Sequence, residues 1–478
     1  MTPLPPSSRR SDGALAIVLH THMPYVEGFG TWPFGEEWLW EAIATCYLPL
    51  VELLETGAPL TLSLTPVLCD QLEADGAQAR CLRFLREVRP ASHARDIDGM
   101  RASGEPEMAR VLERSAAAYA SAADRLEAGG DLLSRLAPFA AWTSAATHAV
   151  LPLLATEAGV RLQVATAIHA HRERFGAWRG GFWLPECAHA AWLDPLLEEL
   201  GVHACCVDLS DVLSIGAPEQ LRPLRSPAGP LFVPIDRATI ELVWSPAGYP
   251  AAAAYRDSHR RTLHDHHVHA NDGALYDEER AVQQARADAH HFVANVLERL
   301  RDGSGKLGRP ALAVCALDTE LLGHWWHEGL LWLEEVLAEA AAEGLEIVAL
   351  DDALAAPAAE NAPQLDEPLP VTSWGTPRTL DTWSGPPVAE LAWRARAAEL
   401  AALAPDAHAS PRALRELLAL QSSDWAFITS RRLAGDYGLE RAAAHAEQLH
   451  RALGDVDCSG PRLRNLAPML EAAAPAPL

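Results

Sequence analysis

Two carboxylates stand at the ends of apolar, strand-like runs. They are Glu186 in GGFWLPECAHAAW (180–192) and Asp318 in LDTELLGHWWHEG (317–329). A third such run, ALAIVLHTH (14–22), ends in His20 and His22. Barrel strands deliver their last side chains to one mouth, where reacting groups collect. Two carboxylates there can divide the roles of nucleophile and proton donor if their surroundings separate their pKa values, the arrangement glycoside cleavage uses. Trp183, Trp325 and Trp326 flank them, and an indole face can hold a sugar ring. Glu320 follows Asp318 by two positions. It shares a face with Asp318 only if the strand continues that far.

The same residues admit other chemistry. His-x-His at a strand end also opens the metal sites of several hydrolases, so a metal-dependent deacetylase or amidohydrolase built on His20 and His22 is the reading from another class. A glucan-binding protein without catalysis is a third reading, disfavoured by the two carboxylates. HDHHVHA (264–270) has the composition of a metal tract, but its Asp- and Asn-rich setting predicts an exposed, solvated loop. His324 and His327 are three apart, a spacing that specifies little alone.

Something must position these groups. Nearly continuous apolar runs at 14–22, 60–68, 180–186, 203–210, 231–236 and 311–320 read as parallel strands buried on both faces. Helical periodicity fills 36–55 and 279–301 between them. This alternation predicts an α/β fold with a parallel sheet, and the strand number predicts a barrel. Residues 1–13 read as a disordered leader without a secretory signal, and 14–355 as the catalytic barrel, with a helical insertion around 80–136. Residues 356–372, rich in Pro, Ala and acid, read as a linker or surface loop, and 373–478 as a helical C-terminal domain.

Composition narrows the partners. A formal net charge of -25 argues against nucleic acid and anionic membrane surfaces, and a neutral substrate fits it. No apolar run is long enough to span a bilayer. The eight cysteines form no C-x-x-C pair and read as small buried hydrophobes in a reducing, cytoplasmic setting. Fifteen Trp against nine Phe and seven Tyr is a surplus of flat stacking faces.

Five blocks, HTHMPYV (20–26), WTSAATHAVLPLL (142–154), GGFWLPECA (180–188), LDTELLGHWWHEG (317–329) and LLALQSSDWAFI (417–428), occur in an order that resembles glycoside hydrolase family 57, above all its 1,4-α-glucan branching type. PFGEEWLWEAI and VWSPAGYP extend the resemblance. It implies a (β/α)7 barrel with a helical insertion and a C-terminal helical domain that completes the active site. It implies Glu186 as nucleophile, Asp318 as general acid/base and retention of the α anomer. His20 and His22 would contact the sugar at the cleaved bond, with His148 nearby, and Trp183, Trp325, Trp374 and Trp425 would line the cleft. No metal or cofactor is implied, and the partner would be an α-1,4-glucan. Two departures stand out: the family's Gly-Asp-Pro is replaced by alanines in GYPAAAAYRDSHRRTLHDHHVHANDGALYD (248–277), and TPRTLDTWSGPPVAELAWRARAAEL follows TSWG. Loops of this kind decide which acceptor takes the glycosyl group. An amylase-like hydrolase and a 4-α-glucanotransferase are therefore the alternatives within the family.

Overall fold

The computed structural model describes residues 12–31, 33–227, 229–355, 361–454 and 463–472. Strand β1 (Gly13–Thr21) is apolar throughout its centre, with Leu15 to Leu19 no more than 1% exposed. Both faces are therefore covered, as a parallel strand requires. The others are β2 (Thr61–Leu64), β3 (Ala140–Ser144), β4 (Gly181–Trp183), β5 (Ala204–Val207), β6 (Leu224–Arg225), β7 (Leu231–Pro234) and β8 (Ala311–Asp318). They lie in the order β6-β7-β5-β4-β3-β2-β1-β8. Every pairing is parallel except that of the short β6 with β7. The Asp236 amide, just past β7, donates to the Val314 carbonyl of β8 at 2.8 Å, so the two ends of the sheet meet. Seven parallel strands thus form a (β/α)7-like barrel.

Six of the seven were legible as apolar runs. β3 was not: AAWTS is short and built of small and polar residues. Its one large side chain, Trp142, is fully buried and donates its indole N–H to Asp351 at 2.7 Å.

Helices occupy Ala77–Arg83, Arg89–Ala102, Pro106–Gly129 and Leu132–Leu136, all between β2 and β3. Pro106 opens the longest, where its missing N–H costs nothing, and Asp131 caps the next by accepting from the Ser134 amide at 2.7 Å. The HDHHVHA segment departs from the exposed loop expected of it. His266 and His269 are buried, the His266 ring lies 3.7 Å from that of His93, and His264 bonds Asp96 at 2.6 Å. A polar helix of the insertion covers a polar loop, a match that lies outside local composition.

The expected leader falls on residues 1–11, outside the described residues, as do 356–360 of the expected linker. The rest of that linker is tied down. Arg225 bridges Gln364 at the sheet edge, its amide donating to the Pro363 carbonyl at 2.9 Å and its carbonyl accepting from the Leu365 amide at 3.0 Å, and Thr372 forms an antiparallel bridge with His189. Beyond it, helices at Asp381–Ser384, Ala389–Ala402, Pro411–Leu420, Ser423–Arg431 and Tyr437–Leu453 pack around Trp383, Leu417, Trp425 and Tyr437. Val150 and Ala188, from loops above the strands, join this cluster, so the helices sit on the barrel mouth. Among the described residues no helix is long and apolar enough to cross a membrane.

Candidate active site

β1 and β8 are paired so that His20 lies opposite Asp318, each near its strand's C-terminal end. β4 needs two glycines to enter the sheet. Gly180 takes φ +94°, and a Cβ on Gly181 would lie 2.3 Å from the Trp142 indole nitrogen. Three residues past Trp183 the backbone turns sharply, with φ +63° at Glu186 and +47° at Cys187. Left-handed backbone at non-glycine residues costs of order 1–3 kcal/mol and persists where surrounding contacts enforce it. Here the Trp374 amide donates to the Glu186 carbonyl at 3.0 Å, and the Thr372–His189 bridge holds the same loop.

The Glu186 carboxylate accepts from two groups outside the barrel. The Trp374 indole donates to Oε2 at 3.0 Å and the Ser423 hydroxyl to Oε1 at 3.3 Å. Its pKa is pushed up to about 7 by burial and by the Asp318 charge, against the Trp374 bond. Asp318 is likewise pushed up to about 7, by burial and then by Glu320. No described residue donates a hydrogen bond to the Asp318 carboxyl.

Three histidines stack beside this pair. His20 Nε2 lies 2.9 Å from His148 Nε2, and its Nδ1 faces Ser63 Oγ at 3.3 Å. Both pKa values are driven well below the usual one, chiefly by burial. Both rings are therefore neutral, one nitrogen donating to the bare lone pair of the other. His148 Nδ1 meets Ser423 Oγ at 2.8 Å and stands 3.8 Å from Glu186 Oε1. His22 differs. Burial lowers its pKa, but Asp424, bonded at 3.0 Å, together with the Glu320 and Glu186 charges raises it overall. Asp424 is lowered in return, its own desolvation overcome by His22. Of the three histidines, His22 is thus the one whose protonated form is favoured, paired with a carboxylate from the C-terminal helices.

Glu186, Asp318, His20, His22, His148 and Trp374 come together. His20 lies deepest, both nitrogens engaged. Trp325, 48% exposed, stands on the loop after β8 against His324. Two expectations need correction. Trp183 is 0% exposed, stacked on His20 at 4.7 Å and edge-on to Trp374 at 5.0 Å. It supports the site from beneath and offers a ligand no face. Trp425 is 1% exposed, with its N–H on the Ala419 carbonyl at 2.7 Å and the Arg441 guanidinium 4.5 Å from its ring. It fills the helical core. The residues that reach the site from that motif are its neighbours Ser423 and Asp424, overlooked although QSSDW was in view. Successive helical positions point about 100° apart, so when Trp425 turns inward the residues just before it turn toward the barrel. Thr65, 3.2 Å from His22 Nδ1, was also missed and carries no signal in a run read simply as strand. Among the described residues no group of three or more His, Cys, Asp or Glu is placed to hold a metal ion.

Against known proteins, residues 141–365 match the model of glycosyl hydrolase family 57, and residues 389–469 match that of the 1,4-alpha-glucan branching enzyme C-terminal region. A probable 1,4-alpha-glucan branching enzyme of Mycobacterium tuberculosis is 32% identical across 92% of both chains. The 1,4-alpha-glucan branching enzyme of Thermococcus kodakarensis is 29% identical, over 93% of this chain and 74% of its own. The crystal structure of a branching enzyme of this family from Pyrococcus horikoshii superposes with a TM-score of 0.84 at 28% identity, covering 96% of this chain and 94% of that one.

Proposed function

Because the chain belongs to glycosyl hydrolase family 57, we infer that it is a 1,4-α-glucan branching enzyme, with Glu186 as nucleophile and Asp318 as acid and base. A Glu186 oxygen bonds the anomeric carbon as the bond from that carbon to the glycosidic oxygen breaks. The Asp318 proton passes to the departing oxygen. A 6-hydroxyl of a second glucan segment then gives its proton to Asp318 while its oxygen takes the anomeric carbon, and the Glu186 carboxylate leaves. Two displacements at one carbon retain the α configuration.

One observation carries these roles: among the described residues two hydrogen-bond donors aim at Glu186 and none at Asp318. Donors favour the ionised form, and an undonated carboxyl beside another carboxylate favours the protonated one. Both groups are raised to about 7, so it is the difference in donors that favours a charged nucleophile and a neutral acid in the same pocket. His22 and His148 would hold sugar hydroxyls, while Trp374 and Trp325 would supply the stacking faces that an uncharged substrate needs. The protein would act on cytoplasmic α-1,4-glucan. Its seven described cysteines, all buried and free, fit a reducing compartment.

The test is incubation with amylose, following reducing ends and α-1,6 linkages together. Branching predicts new α-1,6 linkages with little net gain of reducing ends. Reducing ends rising alone would make the protein a hydrolase.

A further inference from the structure

Glu320 takes no part in the steps above, yet it is one of the most constrained side chains at the barrel mouth. β8 ends at Asp318 and the chain enters a tight turn at Thr319–Leu321, so Glu320 swings inward, 8% exposed. Its Oε1 accepts from the Tyr47 hydroxyl at 2.7 Å and from the His22 amide at 3.0 Å. Tyr47 is fully buried and closes a π-helical turn, Ile43–Tyr47. The turn beneath is fastened as well: Thr319 Oγ1 meets Thr21 Oγ1 at 2.7 Å, and Cys46 Sγ donates to the Thr319 carbonyl at 3.1 Å. The carboxylate is thus locked in place from β1, from the helix after it and from its own turn.

Apart from Asp424, which is paired with His22, the pocket holds three carboxyl groups, and their donors differ. Glu186 has Trp374 and Ser423, Glu320 has Tyr47 and His22, and Asp318 has none among the described residues. Three adjacent carboxylates away from water cannot all be charged. The proton they share goes to the one whose charged form has least support. We propose that Glu320, held by the Tyr47 hydroxyl and the His22 amide, is a positioning residue that keeps the catalytic proton on Asp318 and so leaves Glu186 ionised for attack. This rests on the reading of Asp318 as the acid.

Burial, the largest cause at each, raises Asp318, Glu320 and Glu186 alike to about 7, so it is the donor pattern that places the shared proton. After burial, Glu320 is the next cause of the raised pKa of Asp318. Burial and Glu320 together push the Tyr47 phenol far up, so Tyr47 can act only as a donor. Burial raises Glu320 itself to about 7, with the Tyr47 and His22 bonds opposing. The titratable groups facing it are Cys46 and Tyr47 from the helix, His22 from the end of β1 and Asp318 from its own strand. Asp424 stands one step further, through His22.

The test uses E320Q, which keeps an acceptor oxygen for both donors but removes the charge, and Y47F, which removes one donor. The high-pH limb of kcat/KM on amylose should move down by about one unit in E320Q, and by less in Y47F. Turnover on amylose at mildly alkaline pH should fall by up to about tenfold in E320Q, the loss of protonated Asp318 that a one-unit move of the limb produces. A maltooligosaccharyl fluoride, whose leaving group needs no proton, should lose far less. An unmoved limb in both variants, or equal losses on both substrates, overturns the proposal and leaves Glu320 a structural tie. If E320Q fails to fold, the Y47F limb decides alone. D318N separates the two levels of inference. Because Asp318 is also the base of the second step, rescue of D318N by the fluoride is read in the first turnover; if D318N releases no burst of fluoride, Asp318 is not the acid. If the fluoride substrate rescues D318N but not E320Q, only the role of Glu320 falls.

Discussion

The two carboxylates at the barrel mouth are held by different parts of the chain. Asp318 is surrounded by the barrel's own residues: His20 across the β1–β8 register, Glu320 after it and Tyr47 behind that. Glu186 is surrounded by residues that arrive late in the sequence, Trp374 from the loop clipped to His189 and Ser423 from the C-terminal helices. One side withholds hydrogen bonds and the other supplies them. With the roles proposed above, the barrel alone can shape the acid, whereas an ionised nucleophile depends on the segment around Trp374 and the C-terminal helices being docked. This gives the helical region a chemical role beyond covering the cleft, and it makes the two sides separable by mutation.

The largest effect should come from the carboxylates themselves. E186Q and D318N are each expected to lower turnover on amylose by at least about a thousandfold, roughly 4 kcal/mol of transition-state stabilisation, with unchanged circular dichroism. E186Q should also trap no glycosyl-enzyme intermediate in mass spectrometry. A variant retaining a tenth of wild-type activity would remove that residue from the mechanism. Stability offers a second reading of the same pocket. Glu186, Asp318 and Glu320 each sit near pKa 7 when folded, above the carboxylate range of an unfolded chain, about 4. Between those values the folded protein binds more protons than the unfolded one, so these groups erode stability as pH rises from about 4 to about 7. Removing one should help most above that window. The Tm of E186Q relative to wild type is expected to be higher at pH 8 than at pH 5.

Next come the two tryptophans of the C-terminal region, which differ as the two halves of the site do. Trp425→Ala empties a core position and should cost about 3–5 kcal/mol of folding stability, measured by denaturant titration. Activity should fall only as far as the folded fraction falls. Trp374→Phe keeps an aromatic ring, smaller than the indole, and removes the N–H bonded to Glu186. A hydrogen bond to a charged group is worth roughly 1.5–3 kcal/mol, so kcat/KM should drop about ten- to a hundredfold with little change in Tm. The low-pH limb should move upward, because an undonated Glu186 holds its proton longer. If that limb stays in place, the nucleophile does not depend on the late segments and the contrast between the two sides collapses.

How far this was legible follows the range of the signals. Buried parallel strands declare themselves locally, so β1, β4 and β8 and the groups at their ends were visible in the sequence. β3 was hidden because Ala, Thr and Ser carry no strand pattern when one Trp does the packing. Trp374 and Trp425 looked alike in polar surroundings, yet one faces Glu186 and the other a helical core. Which side of a helix meets the barrel depends on docking, and docking is not written in a window of ten residues. Ser423 and Asp424 were missed for the same reason. Glu320 turned on a single uncertainty, where β8 ends. The polar match between Asp96 and His264 joins residues far apart in sequence, and composition is blind to such distance.

The smallest expected effect sharpens the boundary of the site. Trp325 is nearly half exposed, its amide is bonded to the Glu320 carbonyl at 3.1 Å, and its ring rests edge-on to His324. Its neighbour Trp326 is buried against Tyr255, with ring centroids 5.3 Å apart. The pair thus divides into a core member and a rim member on one short turn. Removing the rim ring takes away no core contact, so Trp325→Ala should change stability by less than about 0.5 kcal/mol. What it removes is a flat face one turn from Asp318, where a glucan segment leaving the cleaved bond would pass. KM for amylose should rise severalfold, because stacking is worth roughly 0.5–1.5 kcal/mol beyond simple burial. Because the ring touches neither carboxylate, kcat and both limbs of the pH profile should stay put. An unchanged KM would place the glucan path elsewhere along the mouth, on the Trp374 side alone. A shifted pH limb would mean that the rim reaches Asp318 through Glu320, joining the two sides that the hydrogen bonds keep apart.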